Sequence, residues 1–184
     1  VGATEPRFRT RLDFDQCFGT VVNRFCAQAV IGHPLTVFGT GGQKRAFLPL
    51  RDSISCLTLV IENPPACSEY RVINQFDECF TVFQIAELVR DAGERLGLRV
   101  TVDYYDNPRE ELEHHHYSPE RKKLDALGYV PSGQIRDELV LMLKDLLPFQ
   151  HRIATKQELL VPDIRWNGTR RRSAVMNTIG DQLS

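Results

Sequence analysis

Short runs of β-branched and aromatic residues alternate with stretches of helically spaced apolar residues along most of this 184-residue chain, and that alternation restricts the fold more than any other feature. Strands alternating with helices build α/β architectures. Residues 17–30 carry Val21, Val22, Phe25, Cys26 and Ala29 at helical spacing, and Gly32 followed by Pro34 supplies the stop. Leu35-Thr36-Val37-Phe38 then reads as a short strand that runs into the glycine turn Gly39-Thr40-Gly41-Gly42. Residues 47–50 read as extended, and Asp52 as the cap of a helix that ends at Glu62, before Pro64-Pro65. Residues 69–76 combine β-branched and aromatic content and predict a buried strand. Thr81-Val82-Phe83-Gln84 has the form of a capping box, opening a helix that reaches Leu96 and stops at Gly97. Residues 99–105 alternate like a strand, and residues 119–126 and 132–147 predict two helices ending at Gly128 and Pro148. Residues 1–15 read as an irregular entry. The organisation expected is therefore a lobe over residues 1–150 and a tail over 151–184.

Composition narrows the function classes. Hydrophobic residues make up 42% and charged residues 26%, ordinary for a globular domain large enough to bury its own core. A formal net charge of −1 gives no overall field to draw in nucleic acid or a membrane surface. The five cysteines, Cys17, Cys26, Cys56, Cys67 and Cys79, are odd in number and form no Cys-x-x-Cys pair. They point to free thiols in a reducing compartment, with Cys26 and Cys56 acting as small hydrophobes among apolar neighbours. No apolar run is long enough to span a bilayer, and no signal peptide opens the chain. The chain starts with Val1 rather than Met and reads as processed or as a fragment.

Candidate chemistry sits in a few stretches. In Val37-Phe38-Gly39-Thr40-Gly41-Gly42-Gln43-Lys44-Arg45 a strand delivers an aromatic, a turn brings backbone amides close, and an arginine follows. A base can stack on Phe38 while Arg45 clamps a diphosphate, because the planar guanidinium bonds phosphate oxygens in pairs. The plain alternative is a hairpin with a solvated Lys44-Arg45 tip. The glycines lack the third member and the following helix of a dinucleotide-binding fingerprint. In Asn107-Pro108-Arg109-Glu110-Glu111 the proline bends the chain just after a strand, so that Arg109 projects from a strand end. Glu111 could orient it or accept a ribose hydroxyl; an exposed loop of ion pairs is the alternative. His114-His115-His116 are adjacent and point different ways, which argues against one metal site. Arg170-Arg171-Arg172 reads as a solvated tail, with contact to nucleic-acid phosphates as the competing use. No cysteine has an evident base partner, so no thiol nucleophile is expected.

Together, Leu12-Asp13-Phe14-Asp15, Phe18-Gly19-Thr20, Asn23-Arg24-Phe25-Cys26 and Gly32-His33-Pro34-Leu35-Thr36-Val37-Phe38-Gly39 resemble the UDP-sulfoquinovose synthases. So do Gly41-Gly42-Gln43, Arg45, Arg51-Asp52, Asn74-Gln75-Phe76, Asn107-Pro108-Arg109, Glu111 and Thr155-Lys156-Gln157. These are extended short-chain dehydrogenases/reductases of the NAD-dependent epimerase/dehydratase superfamily, and the similarity runs over about residues 8–166. The resemblance implies an α/β fold: the carboxy-terminal, substrate-binding lobe with the last strands of a Rossmann sheet, its amino-terminal Rossmann core missing. It implies that Thr36 and Phe38 lie against uracil and ribose, that Arg45 and Arg109 grip the diphosphate with Gln43 and Glu111 nearby, and that Thr20 faces the sugar. It also implies an enzyme that makes UDP-sulfoquinovose from UDP-glucose and sulfite with bound NAD, for sulfolipid biosynthesis. The family's Tyr-x-x-x-Lys pair and glycine fingerprint are expected upstream of Val1. Tyr70, Tyr104, Tyr105, Tyr117 and Tyr129 each lack a lysine four residues later. The chain alone is therefore expected to hold no catalytic residue, to be inactive, and to leave most NAD contacts to the missing half. The other readings are a generic UDP-sugar 4-epimerase or dehydratase, and a non-catalytic nucleotide-sugar-binding module. Partners implied are a UDP-sugar and, at full length, a second copy, with no nucleic acid and no membrane, in the cytoplasm or a plastid stroma. Phe47 and Pro49 stand where the family has Tyr and an acidic residue, and His114-His115-His116 where it has Glu-His-Tyr. These departures bear on sugar specificity more than on the UDP site.

Overall fold

The computed structural model describes residues 11–15, 18–106 and 117–161. Helix α1 (Val21–Ile31) begins where Thr20 accepts a hydrogen bond from the Asn23 amide, and ends at Gly32, whose φ of 73° closes the last turn. Strand β1 (Leu35–Phe38) follows, then β2 (Lys44–Phe47), α2 (Leu50–Glu62), β3 (Glu78–Thr81) and α3 (Val82–Glu94). The chain continues with β4 (Val102–Tyr105), α4 (Lys122–Ala126), α5 (Ile135–Leu146) and α6 (Gln150–Ala154), with single 3-10 turns at Leu147–Phe149 and Gln157–Leu159.

Two small sheets form among the described residues. β1 pairs in parallel with β4, Leu35 opposite Val102 and Phe38 opposite Tyr105. β2 pairs antiparallel with β3, Lys44 opposite Thr81 and Phe47 opposite Glu78. The hairpin alternative therefore fails: β1 and β2 are consecutive yet belong to different sheets. The parallel pair follows from the long connection between its strands, which holds α2 and α3.

The core lies between α1, α3 and α5 and the buried side of β1. Phe25, Leu35, Ile85, Leu139, Leu143 and Leu160 are fully or almost fully buried, each such side chain stabilising the fold by roughly 1.5–3 kcal/mol. Cys26 behaves as the small hydrophobe the sequence indicates: it is buried, and burial pushes its thiol up to about 12, so it stays protonated at neutral pH. The capping box at Thr81 forms in both directions, Gln84 N to Thr81 Oγ1 at 3.1 Å and Thr81 N to Gln84 Oε1 at 2.8 Å.

Several expectations change. The first helix begins at Val21 rather than residue 17, because Thr20 takes the capping position. The strand expected at 47–50 lies earlier, at Lys44–Phe47, since Leu50 already belongs to α2. Asp52 does not cap that helix: Pro49 precedes it, and the buried Asp52 carboxylate accepts from the Ser132 amide at 3.2 Å and 3.3 Å. Residues 69–76, expected as a buried strand, form no ladder among the described residues. Tyr70 is 88% and Val72 56% exposed there. Their β-forming composition is present, but no neighbouring strand offers hydrogen bonds. The segment after residue 150 is not tail-like as far as residue 161: it turns helical and sends Ile153 and Leu160 into the core. Residues 162–184, with the arginine run, lie outside the described residues.

Candidate functional site

The site grows from the carboxyl ends of β1 and β4, the usual place for a ligand in an α/β sheet. Phe38 and Tyr105 close the two strands side by side, their ring centroids 6.1 Å apart and their planes at 62°. The ladder extends one step further, where Gly39 N donates to Tyr105 O at 2.8 Å. The glycine turn then folds back, with Gly41 N donating to Phe38 O at 3.3 Å. Gly41 has φ +68°, and a Cβ there would sit 2.8 Å from Val37 Cγ1 and 3.1 Å from Phe83 Cβ. Only glycine allows this close, left-handed approach.

The turn is anchored on the start of α3. Val82 N donates to Gln43 O at 3.1 Å and Phe83 N to Gly41 O at 3.0 Å, so turn carbonyls satisfy amide groups that a helix start leaves without intrahelical partners. This fixes the path from Phe38 to Arg45. Arg45 is exposed and bonds the carbonyl of Lys44 through Nη1 at 2.8 Å. Among the described residues no acidic side chain is ion-paired with it, so its charge faces solvent. Gln43 is half-buried, and its Oε1 is a buried acceptor without a partner among the described residues. Such an atom costs about 1–3 kcal/mol until a donor reaches it.

Thr36 lies inward. It is 3% exposed; its hydroxyl accepts from Gln28 Nε2 at 2.9 Å, and its amide donates to Gln28 Oε1 at 3.1 Å. The same Gln28 amide donates to Leu160 O at 3.1 Å, tying α1, β1 and the 157–160 turn together. Thr20 is exposed, and its hydroxyl accepts from Asn23 N at 3.3 Å. Phe38 thus closes β1, Gln43 lies in the turn that follows and Arg45 in β2, while Thr36 is buried in the core and Thr20 stands at the head of α1. Arg109, Glu111 and His114-His115-His116 lie outside the described residues.

Two contributors are not evident from residue patterns alone. Gln28 looks like a solvated position in a helix, and its only local signal is a polar residue among Cys26, Ala27 and Ala29. Tyr105 is legible only as the last residue of an alternating strand. A concavity of about 380 Å³ lies between α2 and residues 128–130, lined by Ile54, Thr58, Tyr129 and Val130 among others, and includes none of the expected site residues.

The described residues supply no glycine-fingerprint cradle for the pyrophosphate of NAD. The glycine turn leads into strand β2 rather than a helix, so it lacks the helix amino terminus on which a dinucleotide's pyrophosphate sits. Among the described residues no group of three or more His, Cys, Asp or Glu side chains comes together to hold a metal ion, and no helix is long and apolar enough to cross a membrane.

No protein-family model matches the chain. The UDP-sulfoquinovose synthase of Sulfolobus acidocaldarius is 51% identical over 162 residues, covering 88% of this chain and 41% of that protein. The chloroplastic UDP-sulfoquinovose synthase of Spinacia oleracea is 44% identical over 156 residues, covering 85% of this chain and 32% of that protein. The chain therefore spans less than half the length of these curated relatives. Among solved structures, UDP-N-acetylglucosamine 4-epimerase from Methanobrevibacter ruminantium M1, in complex with UDP-N-acetylmuramic acid, superposes with a TM-score of 0.61 at 21% identity. That likeness covers 77% of this chain and 44% of the epimerase and speaks to the fold alone. Over most of its length the chain is therefore similar in sequence to part of the UDP-sulfoquinovose synthases, and its fold is like that of part of this epimerase.

Proposed function

We propose that the full-length protein makes UDP-sulfoquinovose from UDP-glucose and sulfite with bound NAD, and that this chain provides the surface for the UDP end of the substrate. The observation that carries the reading is the 51% identity to the UDP-sulfoquinovose synthase of Sulfolobus acidocaldarius across 88% of the chain. Local chemistry agrees with it. Phe38 offers a ring for the base, and Gln43 lies in the turn that leads to Arg45, near the diphosphate position. The solvent-facing Arg45 guanidinium takes phosphate oxygens through paired, charge-assisted hydrogen bonds. Arg109 and Glu111 are assigned to the same diphosphate and ribose, and Thr20 to the sugar. Thr36, locked to Gln28, acts through the strand it fixes. NAD contacts are assigned mainly, and proton transfer wholly, to the part of the enzyme that this chain does not span. A homodimer and a reducing compartment, cytoplasm or plastid stroma, complete the reading.

Incubating the full-length protein with UDP-glucose, NAD and sulfite tests the reaction directly. A sulfonated sugar nucleotide is the expected product. UDP-galactose as the sole product would replace this reading with a 4-epimerase, and UDP binding without turnover would replace it with a non-catalytic binding module.

A further inference from the structure

We infer that Tyr105 is a second base-contacting residue and that Phe38 and Tyr105 form a two-walled aromatic corner for the base; this rests on the UDP-binding reading above. The two residues are register partners at the ends of adjacent parallel strands, so their side chains leave the sheet on the same face. Their centroids lie 6.1 Å apart and their planes meet at 62°. Rings at that angle cannot sandwich a base between parallel faces. They can stack it on one ring and close one of its sides with the other, using the offset and edge-to-face contacts that aromatic quadrupoles favour. Tyr105 keeps 38% of its surface exposed beside a half-buried Phe38, so the pair does not bury itself and leaves ring surface open where the strands end. The Gly39 N to Tyr105 O bond ties the backbone of Tyr105 to the turn leading to Arg45. That bond holds the backbone of the aromatic corner and the start of the glycine turn in one frame.

The test uses full-length protein and UDP titrated by calorimetry. Tyr105→Val keeps a strand-forming side chain and removes the ring. It is expected to weaken UDP binding about ten-fold, the scale of one base–aromatic contact. Tyr105→Phe is expected to bind within about two-fold of the parent, because the ring and not the hydroxyl makes the contact. Thermal midpoints of both variants are expected to stay near the parent's, since the side chain is partly exposed. Unchanged UDP affinity in Tyr105→Val, alongside weakened binding in Phe38→Ala, would overturn the corner and leave the UDP reading standing. Equal losses in Tyr105→Val and Tyr105→Phe would overturn the ring as the contacting group. A fall in affinity that tracks a fall in thermal midpoint would assign the effect to folding and overturn the inference too. Absence of UDP binding by the parent protein would remove the underlying reading itself.

Discussion

Helices α1 and α2 have similar lengths and opposite surroundings. α1 has 11 residues and buries Phe25, Cys26, Ala27, Gln28, Ala29 and Val30. α2 has 13 and buries only Asp52 and Cys56, while Leu50, Ile54, Leu57 and Ile61 stand 54%, 58%, 51% and 76% exposed. Those four recur at helical spacing, so α2 is amphipathic in its sequence and lacks a cover among the described residues. The 69–76 segment, which joins no strand ladder among the described residues, also leaves Tyr70 and Val72 exposed. The difference teaches that apolar patterning specifies a face to be buried but not what buries it. α1 finds α3 and α5 nearby in the same chain.

That contrast can be broken or sharpened by substitution, read as unfolding free energy from denaturant titration. The largest effect belongs to the covered side: Leu143→Ala, at a fully buried position of α5, is expected to cost about 2–5 kcal/mol through lost burial and the cavity left behind. Next is Gln28→Leu, which removes the partner of the buried Thr36 amide and hydroxyl and of Leu160 O. A loss of about 1–3 kcal/mol is expected, the cost of stranding buried polar groups, and an unchanged midpoint would show the network to be dispensable. Thr81→Ala removes one half of the capping box and is expected to cost about 1 kcal/mol. The smallest effect belongs to the uncovered side, where Ile54→Ser is expected to change stability of the isolated chain by less than about 0.5 kcal/mol. A cost comparable to Leu143→Ala would mean that α2 is covered after all, and the comparison would collapse.

Local rules made much of this fold legible. Thr81 and Gln84 announce the cap of α3, Gly32 and Pro34 end α1, and the run Leu35-Thr36-Val37-Phe38 is a strand as its β-branched and aromatic residues require. What failed depended on partners distant in sequence. Residues 69–76 have strand composition, but a strand exists only where another offers its backbone, and none among the described residues does. Asp52 has the residue type of a cap, yet its carboxylate serves Ser132, 80 positions away. Leu160 resembles a tail residue until Gln28 bonds its carbonyl. At the site, Phe38, the glycine turn and Arg45 were legible because they are consecutive. Tyr105 was not, since only the parallel register brings it beside Phe38.

We propose that Arg45 and Arg109, far apart in sequence, hold one diphosphate beside a base resting on Phe38. A crystal structure of the full-length protein with UDP tests it most directly. Both guanidinium groups are expected within hydrogen-bonding distance of the diphosphate oxygens, with the uracil ring against Phe38. A diphosphate bound elsewhere, or the two arginines on opposite faces of the molecule, would contradict it.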